Sequence, residues 1–296
     1  LLLTAPLASA DDRPWLGNDL ELTIGGRVWV TSGHSSRASG APGIDRLSEL
    51  RWRGVDAIVP EVTVDLLWKR FVALASVGGG IIGDGVLIDE DFAASGTRIA
   101  RTRSTVDDSH LFYISTDVGG RVFEWTRPRA RARGYVDLLA GFQYWQEQYV
   151  AYGATGFPGT VGGGTRAIAN DYHWRSIRLG ARTQVPIHGG FSLSLRGYVI
   201  PWSSLVIEDV HYLRSDLRRD PSFRDEADGG LGWQADGALN YAITDQLSVE
   251  VGFQYWRLES AEGDQFAHTT AGTVRQTLNE ATSERYGPFI GVRWRF

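Results

Sequence analysis

No cysteine and no run of about 18 consecutive apolar residues occurs in this chain of 296 residues. The first absence suits a chain that passes through an oxidising compartment and leaves no disulfide to staple the fold. The second excludes a bilayer-spanning helix. Positive charge is not in excess either. Lys and Arg number 30 against 35 Asp and Glu, for a net charge of -5. The arginines are scattered rather than gathered into a basic stripe, so nucleic acid is not an expected partner. What is plentiful is glycine, at 36, and aromatics, with 11 Trp, 11 Tyr and 12 Phe.

The N-terminal segment Leu1 to Ala10 reads as the remnant of an export signal. Leu1, Leu2 and Leu3 resemble the tail of an apolar region, and Ala8-Ser9-Ala10 fits a small-x-small cleavage site. Residues 11–296 are then expected to form a single domain.

From about residue 19 to the last, apolar and polar residues alternate with period two, the pattern of β-strands. In the last segment Tyr286, Ile290, Val292, Trp294 and Phe296 share one face, while Gly287, Gly291, Arg293 and Arg295 share the other. Leu247, Val249, Val251, Phe253 and Tyr255 alternate with Ser248, Glu250, Gly252 and Gln254 in the same way. The polar faces carry Arg, Asp, Glu and Gly, and the apolar faces end in aromatics. That is the lipid-out, polar-in arrangement of an outer-membrane barrel rather than of a soluble lipocalin-like barrel or sandwich.

Short connections fall near Trp68-Lys69-Arg70, Arg127-Pro128-Arg129, His188-Gly189-Gly190 and Thr244-Asp245; long ones fall near 33–47, 83–110, 153–172, 212–229 and 260–281. Four short turns and five long loops predict an all-β fold, a ten-stranded antiparallel up-and-down transmembrane β-barrel closed on itself. The long loops are expected to stand in solvent on the extracellular side. The inward Arg, Glu and Asp are expected to fill so narrow a lumen, which argues against a pore.

Two acidic motifs lie at the outer side of strands expected to run in the same direction, Asp89-Glu90-Asp91 in the loop after the third strand and Asp209-Val210-His211 near the end of the seventh. Residues two apart on an extended chain share a face. Across a barrel mouth, a water held between His211 and the Asp89/Asp91 pair could be activated. His211 would act as base, Asp209 would orient its ring, and the two carboxylates would share a proton. A calcium site built from Asp89, Asp91 and Asp209 is an alternative, and ordinary solvated loop acids are another. Counting by two from Phe191, Leu193 and Leu195 points Asp209 and His211 at lipid, so the cleft requires a bulge, and Pro201 is the expected place.

These motifs resemble those of the omptins, ten-stranded outer-membrane proteases of Gram-negative bacteria. Ser48-Glu49-Leu50-Arg51-Trp52 resembles the family's second strand, Ile88-Asp89-Glu90-Asp91-Phe92 its aspartate pair, Gly164-Thr165-Arg166-Ala167-Ile168 a loop ending, and Glu208-Asp209-Val210-His211-Tyr212 its aspartate–histidine pair. The resemblance implies peptide-bond hydrolysis by water, with Asp89, Asp91, Asp209 and His211 catalytic, no metal and no cofactor. It also implies protein or peptide substrates at the cell surface and contact with outer-membrane lipid, with lipopolysaccharide as a requirement for activity. Where omptins that cut between basic residues carry acidic side chains, this chain places Arg37 and Ile207, with Arg103 in the basic second outer loop. Specificity is therefore expected to differ, toward apolar or acidic residues. The stretch matching the family's lipopolysaccharide cluster reads Phe142-Gln143-Tyr144-Trp145-Gln146. A non-catalytic barrel serving as adhesin or surface receptor is the second reading.

Overall fold

The protein is described by a computed structural model over residues 20–41 and 43–296. The expected signal remnant, Leu1 to Ala10, lies outside the described residues. Among those described, thirteen strands form one antiparallel sheet, where the sequence predicted ten. They are β1 (Leu20–Ala41), β2 (Ile44–Arg53), β3 (Ala57–Trp68), β4 (Phe71–Ile82), β5 (Val86–Phe92), β6 (Arg98–Trp125), β7 (Gly134–Phe157), β8 (Val161–His188), β9 (Phe191–His211), β10 (Phe223–Ala242), β11 (Leu247–Glu259), β12 (Gly263–Thr269) and β13 (Gly272–Arg295).

Pairing runs β1–β3–β4–β6–β7–β8–β9–β10–β11–β13 and returns from β13 to β1, so the hydrogen-bonded ladder makes a complete circuit. The surplus strands are β2, β5 and β12. β2 and β5 fill the gap between β1 and β6 where β3 and β4 have ended, and β12 bridges β10 and β13 beyond β11. Each surplus strand thus stacks on a neighbour in the sequence, with the chain broken between them. Gly54 and Gly85 mark two of the breaks with φ of 58° and 140°, a region open chiefly to glycine.

All four expected short turns lie between strands. The expected long loops are corrected, because most of their length is paired strand. β1 runs on to Ala41, and β6 and β8 contain 28 residues each, where about 9–11 suffice to cross a bilayer. Only 212–222 remains outside the strands as a long connection. At the opposite end the β6–β7 connection folds over its neighbours. Arg131 N donates to Gly189 O at 2.8 Å, and Gly189 N to Arg129 O at 2.8 Å.

The outer wall is apolar over one belt and polar beyond it. On β1 Ile24, Val28 and Val30 are exposed, followed outward by Ser32, His34 and Ser36; on β8 Leu179 and Ile177 give way to Arg175, His173 and Asp171. Inside, the expected charge-filled lumen is present. Arg27–Glu61 (2.6 Å), Arg121–Asp137 (2.9 Å) and Arg196–Asp236 (2.7 Å) pair between adjacent strands of the inner wall, Arg178–Asp117 (2.6 Å) reaches one strand further, and Arg182 on β8 crosses to Asp65 on β3 (2.5 Å).

Above this charged layer lies an aromatic one that alternation did not predict. Trp256 packs on Trp29, Tyr113 and Trp145 with ring centroids 5.3, 4.7 and 5.1 Å away, and Trp52 stacks on Tyr149 at 4.9 Å. Gly78 makes room for it, since a Cβ there would stand 2.5 Å from the Tyr113 ring. Replacing a large buried aromatic by alanine usually costs about 3–5 kcal/mol. Trp256→Ala is therefore expected to lower the unfolding midpoint of the barrel in detergent by a corresponding amount, read by denaturant titration. An unchanged midpoint would show that the lumen packing does not hold the barrel.

Candidate active site

β5 carries the first acidic motif, on a strand rather than in the loop expected for it. Its neighbours are β2 and β6, with Leu50 and Thr102 opposite Asp89, and Ser48 and Ala100 opposite Asp91. Asp89 and Asp91 face the cleft. Glu90 faces away, where it pairs with Arg51, with Arg98 at 2.8 Å and with Arg101 at 3.6 Å.

β9 carries the second motif, and its orientation depends on the bulge anticipated at Pro201. Gly230 pairs with Ser203 and Gly232 with Ile200, so β9 has one residue more than β10 over this interval; the β8 ladder shifts likewise between Ile177–Trp202 and Leu179–Val199. Before the bulge Tyr198 and Ile200 are buried; after it Ser203, Leu205, Ile207 and Asp209 are. The inversion brings Asp209 and His211 to the cleft, past Trp202, where the exposed apolar series on β9 ends.

There His211 Nε2 lies 3.0 Å from Asp209 Oδ2. The His211 backbone N–H donates to Ser222 Oγ at 3.0 Å, and Phe223 meets the imidazole edge-on at a centroid distance of 5.2 Å. Asp89, Asp91 and His211 line one cleft of about 630 Å³, together with Arg37, Ser48, Thr102, Ala167 and Phe223.

Burial and charge set the protonation of these groups, all of them above the apolar belt. Burial pushes Asp89 up to about 6, helped by Asp91 and Asp209 and opposed by His211. Burial would also raise Asp209, but His211 and Arg37 overcome it and hold this carboxyl below its usual range. Burial acts to lower His211, and Asp209 and Asp89 outweigh it, so the imidazole holds its proton to higher pH than usual.

Arg37 is the largest departure from expectation. Predicted as a free cation facing the substrate, it is 3% exposed and already paired. Its Nη2 donates to Asp209 Oδ2 at 2.5 Å and its Nη1 to Asp225 Oδ2 at 2.6 Å. Asp225 Oδ1 also accepts from Gln265 Nε2 at 2.8 Å. Asp225, Gln265 and Phe223 belong to the site and were missed, because nothing in their spacing sets them apart from other strand residues.

Ile207 is fully buried in the apolar core and does not line the cleft. Arg103 is exposed on the face of β6 opposite to Thr102 and Ser104, which do line it, so it is not placed to touch a substrate in the cleft. Glu208 is engaged by Arg224 at 2.6 Å. Among the described residues no group of three or more His, Asp or Glu is arranged to hold a metal ion, and in the alternative calcium set Asp209 is committed to Arg37 and His211. On the outer wall the Phe142–Gln146 stretch presents Tyr144, which bonds His173 at 2.8 Å, and Gln146, which bonds Asp171 at 2.9 Å; Gln143 and Trp145 point inward.

Comparison with known proteins agrees with this architecture. The outer membrane protease OmpT from Escherichia coli superposes with a TM-score of 0.76 at 15% identity, over 93% of this chain and 97% of that one. The translocator domain of the autotransporter NalP from Neisseria meningitidis (TM-score 0.39, 12% identity, 93% of this chain and 88% of that one) is too distant in shape to carry an argument. No curated protein matches in sequence. The sequence model of the Omptin family matches residues 37–296, from the arginine that pairs with Asp209 to the last residue, and the chain belongs to that family.

Proposed function

We propose that this protein is an outer-membrane endopeptidase that hydrolyses peptide bonds with a water held between the Asp209–His211 and Asp89/Asp91 couples, its cleft facing the cell exterior. The observation that carries this reading is the 3.0 Å Asp209–His211 contact in the same cleft as the second carboxylate couple. With Nε2–H directed at Asp209, Nδ1 is the basic nitrogen. It takes a proton from the water as the oxygen attacks the scissile carbonyl, and Asp209 stabilises the imidazolium that forms. The imidazolium then returns the proton to the departing amine, so that water is consumed and a carboxylate and an amine are released. Asp89, whose carboxyl burial keeps protonated to higher pH than usual, and Asp91 hold the water between them.

Loss of a general base commonly costs about 10²–10⁴-fold in rate. Asp209→Asn and His211→Ala should each slow cleavage of a peptide library by that order while the refolded barrel keeps its native mobility in unheated gels. Lipopolysaccharide is supplied in the assay, since the family resemblance implies a need for it. A wild-type barrel that is folded, supplied with lipopolysaccharide and unable to cut any peptide would favour a receptor or adhesin instead.

The base must be unprotonated, and His211 is raised above its ordinary value. The rate should therefore climb with pH along an acid limb centred above about 6.5. A limb well below that value in the pH profile of kcat/KM would exclude His211 as the base.

Specificity follows from which carboxylates remain free. Asp225 is occupied by Arg37 and Gln265, while Glu90 and Glu208 face their own arginines. Among the described residues lining the cleft, a substrate Arg or Lys meets no acid beyond the Asp89/Asp91 couple, and leaving such a charge unpaired is costly. Ala167, Ile168, Leu213 and Phe223 offer it an apolar wall. Cleavage should occur next to uncharged side chains, as read by sequencing library products. A strong preference for Arg or Lys before the scissile bond would refute this assignment.

A further inference from the structure

Arg37 and His211 compete for one oxygen. Asp209 Oδ2 lies 3.0 Å from His211 Nε2 and 2.5 Å from Arg37 Nη2, and Asp209 is fully buried. A guanidinium at that distance draws charge from the oxygen that should stabilise the imidazolium. Left uncompensated in a buried setting, it would hold the histidine's proton affinity down. Asp225 sits on the far side of the same guanidinium. It is also fully buried, takes Nη1 at 2.6 Å, and is fixed in turn by Gln265 at 2.8 Å.

We propose that Asp225 is a positioning residue for the Asp209–His211 couple, acting through Arg37. It anchors the guanidinium and offsets its charge, so that Asp209 keeps enough negative charge to serve the imidazole. The inference rests on the hydrolytic reading of the site and adds to it a four-membered relay, Asp225–Arg37–Asp209–His211, with contributions from β10, β1 and β9.

The charged groups facing His211 are few enough for the sign to be worked out. Asp209 lies on its own strand, Arg37 on β1, Asp89 and Asp91 on β5, and Asp225 on β10; Arg214 and Asp216 lie in the connection that follows β9. Arg214 is paired to Asp216 at 2.6 Å. From β8 and β12 come the neutral Asn170, Tyr172 and Gln265. Removing the negative charge of Asp225 leaves Arg37 in excess, so the imidazole releases its proton at lower pH. Removing Arg37 as well takes away the excess and returns the imidazole toward its starting value.

The test is a cycle of Asp225→Asn, Arg37→Gln and the double variant, made in the full chain and refolded with lipopolysaccharide. Two readouts are followed, the acid limb of kcat/KM and the NMR titration of the His211 ring, assigned among the 6 histidines by its loss in His211→Ala. Asp225→Asn should shift both to lower pH by on the order of one unit, and the double variant should reverse most of that shift. Gln265→Leu, which keeps every charge but removes one bond to Asp225, should give a smaller shift of the same sign. It serves as the test if Asp225→Asn does not fold.

A fall in rate with neither the limb nor the ring titration displaced would reduce Asp225 to a structural role and overturn the proposal. A shift that the double variant fails to reverse would overturn the route through Arg37. If the folded wild type cuts nothing while the ring titration still moves as described, the relay stands and the hydrolytic reading falls.

Discussion

Because side chains on a strand alternate with a period of two, one residue inserted into β9 inverts everything that follows it. Without the bulge at Pro201, Asp209 and His211 would lie on the outer wall, and the residues now flanking them would fill the cleft. Proline suits the position because it has no N–H to give the ladder, and both neighbouring strands shift register there. The cleft, the relay and the separation of charged from apolar faces above the belt all depend on that local irregularity.

The second constraint is vertical. The aromatic layer around Trp256 lies between the lumen ion pairs and the cleft, and Arg285 with Glu147, both fully buried, lies among the residues above it. Packed rings and a buried ion pair thus occupy the lumen between the two layers. Packed rings beneath Asp209 also lower the local dielectric, which makes each charge there count for more than it would in water. The same packing thus sharpens the electrostatics of the site.

Much of this was legible in the sequence. Alternation located the strands, turn residues located the short connections, and the phase conflict at Asp209 pointed to Pro201. The extended rim was not legible. Thr, Ser, Arg and Asp in segments such as 97–109 read as loop composition, yet they sustain a ladder once neighbouring strands lie alongside. The aromatic floor was hidden because Trp29 and Trp256 sit among polar residues of the inward face, where a period-two count gives no weight to size. Arg37 was read by its charge alone. Its partner Asp225 is 188 residues away along the chain, and a pairing of that kind is set by closure of the sheet, not by any local pattern.

That closure bears on when the site can form. Arg37 belongs to the first strand, and it reaches Asp209 and Asp225 only across the seam where β1 meets β13. A chain whose hairpins have formed but whose first and last strands remain apart has every residue of the site and no site. Its carboxylates on β9 and β10 lack their counterion and its cleft lacks a wall. On the hydrolytic reading proposed above, the closing of the cylinder is therefore the step that completes the site, and the seam between the first and last strands is part of its construction.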